Sequence, residues 1–107
     1  MPWSVDFLDT NVQQELEAMP RDIVASFLRI ARLIAAHGLE KVHEPYVKHL
    51  EGRLWEMRMK GRDGIARAIY VTATERRVVI VHVFMKKTQK TPRREIEIAR
   101  KRSMEVR

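Results

Sequence analysis

The sequence predicts an α+β domain built on a small, mostly antiparallel sheet, with N-terminal helices packed on one face. Three β-like runs follow one another between residues 53 and 85 with short turns between them, which predicts an antiparallel meander. A long amphipathic helix precedes these runs and a shorter helix follows them. With 107 residues, the chain has room for one domain spanning residues 1–107, and the predicted element order is β-α-α-β-β-β-α.

The first predicted elements are a short strand and a short helix. Trp3, Val5 and Phe7 alternate with polar residues, and this period of two predicts an edge strand over residues 3–8. Thr10 and Gln13 have the spacing of a capping box, which predicts a helix over residues 11–18.

The second predicted helix is long and strongly amphipathic. Pro20 is tolerated in a first turn and marks its start, and Gly38 suits the left-handed conformation that ends a helix. We expect its broad apolar face to pack across the sheet. The residues of that face recur at three- and four-residue spacings: Ile23, Val24, Phe27, Leu28, Ile30, Ala31 and Ile34.

The rest of the chain is predicted to form a loop, three strands and a helix. Pro45 and Gly52 interrupt the segment 39–52, which predicts a loop with one helical turn. Strands are predicted over residues 53–60, 65–74 and 77–85, and the third is apolar on both faces and therefore central. Thr91 and Pro92 predict the start of the C-terminal helix.

Composition excludes several classes of protein. Hydrophobic residues make up 45% of the chain and charged residues 33%, which is typical of a folded domain rather than a disordered one. No apolar run approaches the roughly 20 residues that span a bilayer, and the N-terminus lacks the pattern of a signal peptide. The lack of cysteine excludes disulfides and thiolate metal sites, and it fits a cytoplasmic location.

Positive charge is concentrated in the C-terminal half. Residues 1–50 contain five Lys or Arg and seven Asp or Glu, whereas residues 51–107 contain sixteen and seven. The electric field of one small domain is therefore strongly polarised, which favours contact with a nucleic acid. A solvated basic surface or an anionic protein partner is the alternative explanation.

Charged residues within the predicted strands are the first candidates for a functional site. Arg67 interrupts an apolar strand face. Either its guanidinium points at a phosphate, or its stem lies on the core and its head in water. Glu56 and Arg58 share one face of their strand, where a solvated cross-strand ion pair is the usual explanation.

His82 lies on the predicted central strand with the parity of Val78, Ile80 and Phe84. A lone histidine on such a face is more often a satisfied core residue than a proton-transfer group. The four histidines lack the spacing of metal ligands, so we predict no metal site and no cofactor. Phosphate-binding glycine loops, nucleophile motifs and a helix-turn-helix signature are also absent from the sequence, which argues against a conventional nucleotide-dependent enzyme.

The segment 86–94 is the most basic part of the chain and contains no acid. It follows a core strand and leads into a helix N-terminus, whose free amides also favour anions. A solvated charge run is the alternative, but a run held between two elements favours phosphate binding. Its cations are Lys86, Lys87, Lys90, Arg93 and Arg94.

Three segments of the sequence carry a family resemblance. They are LWEMR at residues 54–58, GIARAIY at residues 64–70, and HVFMKKTQKTP at residues 82–92 followed by Glu95 and Ile96. Together they resemble the phage-derived HigB-like toxins of the RelE/ParE superfamily, which belong to type II toxin–antitoxin systems. The resemblance covers essentially the whole chain, and its specific part is FMKKTQKTP at residues 84–92.

The resemblance implies a RelE-like fold and a ribosome-dependent mRNA endoribonuclease that inhibits translation. Such a toxin enters the ribosomal A site and works without a metal or a small-molecule cofactor. In these toxins the 2′-hydroxyl attacks the adjacent phosphate, and basic side chains stabilise the charge that develops. A cognate helix-turn-helix antitoxin keeps the toxin inactive.

By matching position, the resemblance assigns the scissile phosphate to Arg67, with Arg58 beside it. His82 and Glu56 are the nearest groups for proton transfer, and Lys86 completes the predicted catalytic set. Several relatives place a tyrosine or histidine late in the chain for this step, whereas neither follows residue 84 here. The acid and base are therefore not identified. The cations expected to bind RNA are Lys60, Lys87, Lys90, Arg93 and Arg94.

Two other functions stay open. The ParE branch of the superfamily has the same fold and inhibits DNA gyrase without nuclease activity. A plain basic nucleic-acid-binding module is the other, and it would show salt-sensitive binding without cleavage. The basic cluster and the strand arginines favour RNA as the target.

Overall fold

The computed structural model describes residues 2–87 and 89–106, so Thr88 of the basic segment lies outside the described residues. Within these residues the chain forms five strands and three α-helices. A 3-10 turn at Leu39–Lys41 follows the second helix. In chain order the elements are β1 (Ser4–Phe7), α1 (Thr10–Glu17), α2 (Arg21–His37), β2 (Val47–Glu51), β3 (Leu54–Lys60), β4 (Ile65–Ala73), β5 (Arg77–Met85) and α3 (Arg93–Ser103).

The five strands form one mixed sheet in the order β1-β5-β4-β3-β2. β1 lies at one edge and runs parallel to β5, while the other neighbouring pairs are antiparallel. The predicted α+β class and the mostly antiparallel sheet are therefore confirmed, and β5 and β4 lie inside the sheet.

The element order differs from the prediction by one strand. β2 lies at the opposite edge, inside the segment that the sequence predicts as a loop, and it pairs with β3 so that Val47 faces Met57 and Lys48 faces Glu56. Polar residues occupy most of its five positions, so its apolar period is too weak to predict a strand. Pairing with β3 supplies the backbone partners that stabilise it.

The structure contradicts the predicted N-cap of the first helix and confirms the predicted end of the second. The N-cap of α1 is Asp9, whose carboxylate accepts a hydrogen bond from the Val12 amide at 3.0 Å. The predicted capping box at Thr10 and Gln13 is therefore wrong, because Asp9 already occupies the extended position before the first helical residue. Gly38 ends α2 with φ +89°, as predicted.

Helices cover both faces of the sheet. The apolar face of α2 packs on one side, around Phe27, Ile30 and Ile34, where the largest core forms with Met57 and Tyr70 of the sheet. α3 covers the other side and closes a second core, which contains Leu54, Ile69, Val71, Val79, Val81, Phe84, Ile96, Ala99 and Val106. The residues that the sequence singles out on β3 and β4 face α3.

A β-bulge in β5 changes the face on which His82 lies. Ile69 pairs with His82, but the next residue of β4, Tyr70, pairs with Ile80, so Val81 is an extra residue in β5. His82 therefore shares a face with Phe84 and not with Ile80, and the predicted common parity is wrong. A bulge cannot be seen in the sequence period, because it depends on the partner strand.

Candidate functional site

A cavity of about 430 Å³ opens between β2, β3, the start of α3 and the segment that joins β5 to α3. We call this segment, residues 86–92, the basic loop. The cavity lining contains four Lys or Arg residues and one acid, so it suits an anionic ligand. The residues that line it are Lys48, His49, Leu50, Glu56, Arg67, Gln89, Lys90, Thr91, Arg93 and Ile96.

Glu56 and Arg67 lie at the bottom of this cavity as a buried ion pair. Arg67 lies opposite Arg58 across the β3–β4 ladder, and Glu56 is its diagonal neighbour. Arg67 Nη1 lies 3.1 Å from Glu56 Oε1, and the two residues are 2% and 1% exposed. The predicted solvated position of Glu56 is therefore wrong. The interpretation that the Arg67 guanidinium lies in water is wrong as well, because the basic loop and α3 cover this face.

Both members of the pair also hydrogen-bond to the basic loop. Arg67 Nη2 donates to the carbonyl of Gln89 at 2.9 Å. The Thr91 hydroxyl donates to Glu56 Oε2 at 2.7 Å and accepts from Arg67 Nη1. The Arg67 Nε–H group is buried and has no partner among the residues that the structure describes. We call Glu56, Arg67, Gln89 and Thr91 the loop cluster, since it joins the basic loop to the sheet.

Half-buried cations lie beside the loop cluster. Arg58 faces Arg67 across the ladder, and burial lowers the pKa of Lys86, which the positive charges of Arg67 and Arg58 lower further. Lys48 lies opposite Glu56 on β2 and adds an exposed cation beside the same cluster. Sequence reasoning missed Lys48 because it did not predict β2. The predicted RNA-binding cations are all exposed: Lys60, Lys87, Lys90, Arg93 and Arg94.

Arg93 lines the cavity, but acidic residues already bind its guanidinium. Its Nη1 and Nη2 atoms lie 2.6 and 3.0 Å from the two carboxylate oxygens of Glu51, and Nη2 lies 2.9 Å from Glu97. Arg100 shares the Glu51 carboxylate. Hydrogen bonds from Arg93 and Arg100 lower the pKa of Glu51 to about 2. A phosphate must therefore compete with Glu51 for Arg93.

His82 belongs to a second ionic group that does not line the cavity. Its Nε2 lies 3.0 Å from Glu95 and its Nδ1 lies 3.2 Å from Glu15, while Arg102 pairs with Glu15 at 2.9 Å. We call Glu15, His82, Glu95 and Arg102 the helix cluster, since it joins α1 and α3 to β5. The Glu15 carboxylate also accepts the Val83 amide at 2.9 Å, so it satisfies a backbone donor of β5.

The two carboxylates determine the charge of His82. Burial by itself lowers the pKa of His82, but its hydrogen bonds to Glu15 and Glu95 raise the pKa above the ordinary value of 6.5. His82 is 6% exposed, and its ring stacks on Phe84 with centroids 5.2 Å apart. It is therefore a satisfied core histidine, the more common of the two interpretations of its position.

The described residues contain neither a cluster of metal ligands nor a helix that could cross a membrane. Within residues 2–87 and 89–106, no three His, Cys, Asp or Glu side chains converge in the manner of metal ligands. Over the same ranges, no helix has both the length and the apolar character that crossing a membrane requires.

Comparisons with known proteins agree on a family and a fold. The sequence model of the family described as "Phage derived protein Gp49-like (DUF891)" matches residues 14–104. The structure is similar to a chain in the crystal structure of the archaeal RelE–RelB complex from Pyrococcus horikoshii OT3, with a TM-score of 0.61 and 20% identity. The match covers 79% of this chain and 96% of that chain, and at this identity it shows the fold alone. No curated protein matches the sequence.

Proposed function

Because the chain belongs to the phage-derived Gp49-like family, we propose that it is the HigB-like toxin of a type II toxin–antitoxin system. Its activity is ribosome-dependent cleavage of mRNA, which inhibits translation. The fold shared with a chain of a RelE–RelB complex supports this proposal, and so does the resemblance of residues 84–92 to HigB-like toxins.

One observation carries the proposal: an open cavity of about 430 Å³ in which cations outnumber acids four to one. Arg58 and Lys86 lie next to it, so the positive charge continues from β3 along the basic loop. A line of cations spaced along a groove binds a polyanion backbone better than it binds a single small anion. RNA is therefore the proposed substrate.

The chemistry follows from the substrate's own nucleophile. The 2′-hydroxyl of one nucleotide attacks the adjacent phosphorus, a 2′-O–P bond forms and the P–O5′ bond breaks. The products are a 2′,3′-cyclic phosphate and a 5′-hydroxyl. Because the nucleophile belongs to the RNA, the protein has to orient the phosphate, stabilise its developing negative charge and accommodate two proton transfers. The 2′-hydroxyl loses its proton to water, and the departing 5′-oxygen gains one. We propose that these tasks need neither a metal ion nor a cofactor.

Arg58 and Lys86 are the groups that we propose at the reacting phosphate. A guanidinium such as that of Arg58 stabilises the pentacovalent phosphorane through paired N–H donors. Lys86 has a lowered pKa, so it gives up a proton more readily than an ordinary lysine and is suited to protonate the departing 5′-oxygen. His82 takes no part in this chemistry, because it is buried in the helix cluster away from the cavity.

The remaining cations are proposed to bind mRNA or rRNA backbone. Lys60, Lys87, Lys90 and Arg94 are exposed, Lys90 lines the cavity, and Lys48 adds a cation from β2. The proposed partners are the ribosomal A site and a cognate helix-turn-helix antitoxin, which keeps the toxin inactive. The place of action is the cytoplasm, where translating ribosomes are found.

Primer extension on a reporter mRNA tests this function. The purified protein is incubated with the message, with and without translating ribosomes and in the presence of a metal chelator. We expect codon-phased cuts only when ribosomes are present, and we expect Lys86→Ala to slow them by about 10²-fold or more, the usual loss for a general acid. The matched control Lys101→Ala removes an exposed lysine of α3 and cleaves like the wild type.

Two outcomes would overturn the proposal. An uncut message with blocked DNA supercoiling would identify the ParE-like inhibition of gyrase. An uncut message with salt-sensitive RNA binding would identify a plain nucleic-acid-binding module.

A further inference from the structure

The two buried members of the loop cluster bind the basic loop in preference to solvent. Glu56 and Arg67 are 1% and 2% exposed, yet they lie at the bottom of an open cavity. Residues of the loop cover them, since Gln89 accepts from Arg67 Nη2 and the Thr91 hydroxyl lies between Arg67 Nη1 and Glu56 Oε2. These hydrogen bonds of the pair to the loop therefore converge on two positions, Gln89 and Thr91.

The basic loop needs such an attachment for two reasons. It forms neither helix nor strand among its described residues, so it lacks a regular ladder of backbone hydrogen bonds. It also carries Lys86, Lys87 and Lys90 on a short segment next to Arg58, and these like charges repel one another. The lowered pKa of Lys86 reflects burial together with the positive charges of Arg67, Arg58 and Lys48, which the Glu56 carboxylate partly offsets. A buried carboxylate beneath the loop counteracts the repulsion.

The same contacts keep Arg67 away from a phosphate. Its Nη1 and Nη2 atoms both donate to partners within the protein, and its side chain is almost without exposure. An arginine that binds a phosphate presents both of its outer nitrogens to two oxygens. Arg67 can do so only after the basic loop has left the sheet, which would also displace Lys86 and Lys90.

We propose that Glu56, Arg67 and Thr91 are positioning residues, which hold the basic loop in the shape that meets RNA and do not touch the reacting phosphate. This inference rests on the proposed function, since the loop is taken to bind RNA there. Thr91 is the residue through which it can be tested, because its hydroxyl joins both members of the ion pair. Its removal loosens the loop and leaves Arg67 paired with Glu56.

The test compares Thr91→Val, which keeps the shape and removes the hydroxyl, with Thr91→Ser, which keeps the hydroxyl. Thr72→Val is the matched control, since Thr72 is exposed on β4. In the ribosome-dependent cleavage assay, we expect Thr91→Val to raise KM about tenfold and to change kcat less than threefold. This is the pattern expected when a variant weakens substrate binding and leaves the chemical step intact. Thr91→Ser and Thr72→Val should match the wild type. A fall in kcat with KM unchanged would overturn the proposal, because it would place the hydroxyl at the transition state.

Hydrogen exchange supplies a readout that does not depend on cleavage. We expect the amides of the basic loop to exchange at least tenfold faster in Thr91→Val than in the wild type and in Thr91→Ser. The amides of β4 and β5 should keep their protection in all three proteins, which shows that the fold is intact. Unchanged exchange of the loop in Thr91→Val would overturn the proposal. If the wild type cuts no mRNA, the proposed function fails, and the exchange data still decide whether Thr91 orders the loop.

Discussion

The loop cluster and the helix cluster lie on neighbouring strands, but they differ in what surrounds them. The loop cluster lies beneath an open cavity and has unbalanced positive charge around it, from Arg58, Lys86 and Lys48. The helix cluster is closed: two carboxylates balance Arg102 and a histidine whose pKa they raise. Each joins secondary-structure elements that are distant in sequence.

A buried charge alone does not mark a functional site. Both clusters contain buried ionisable residues on β-strands, and the sequence singled out a member of each, Arg67 and His82. The helix cluster satisfies its charges internally and supports the packing of α1 and α3. The loop cluster supports a segment of surplus charge that faces a cavity, which is the arrangement that a polyanion requires.

The largest expected effect comes from breaking the loop cluster. Glu56→Ala leaves the Arg67 guanidinium buried without a counter-ion, and removing one partner of a buried pair costs about 3–5 kcal/mol of unfolding free energy. Urea denaturation followed by tryptophan fluorescence measures this change. Glu97→Gln, which removes an exposed carboxylate, is the control and should change stability little. A loss below 1 kcal/mol for Glu56→Ala would show that the pair is not buried in solution.

A smaller effect should distinguish the helix cluster by its pH dependence. The pKa of His82 is raised in the folded state, so its contribution to stability is complete below the unfolded value of about 6.5. That contribution is lost as the pH rises through the higher folded pKa. We therefore expect the unfolding free energy to fall with rising pH above 6.5.

Denaturation at a series of pH values from 6 to 9 measures this decline. In His82→Gln the decline should disappear, whereas His37→Gln, which removes an exposed histidine at the end of α2, should keep the wild-type profile. An unchanged profile in His82→Gln would mean that other groups titrate in this range.

The smallest expected effect concerns the acid that competes for the cations of the cavity. Glu51→Gln removes the carboxylate that binds both Arg93 and Arg100, so the two guanidinium groups keep only Glu97 as an acidic partner and become more available to RNA. We expect RNA affinity to rise a few-fold and the slope of log K against log salt to steepen by about 0.7 for each new phosphate contact. Filter binding at several salt concentrations measures both quantities.

Glu105→Gln is the control for this change, because it removes the same charge from an exposed position beyond α3. An equal gain in both variants would mean that net charge, and not the release of Arg93, strengthens binding.

Local sequence patterns predicted much of the fold but only part of the candidate site. The period of α2, its end at Gly38 and the strands β3, β4 and β5 were readable because each depends on near neighbours in the chain. β2 was not readable, since an edge strand of polar residues is defined by its partner. Lys48, which lies on it, was missed for the same reason. Arg67 was singled out as an anomaly on an apolar face and Glu56 as a member of a solvated ion pair, but the burial of the two was not predicted.

The sequence by itself determined the α+β class, the polarity of charge between the two halves and the basic segment between a core strand and a helix. Only the tertiary structure decided which charged side chains are buried in ion pairs and which are exposed. Arg67 is covered by residues 22 and 24 positions later in the chain, and His82 is bound by Glu15, 67 positions earlier. Sequence periodicity reports the face on which a side chain lies. Burial and ion pairing depend on what packs against that face, and distant parts of the chain determine this only once they have folded together.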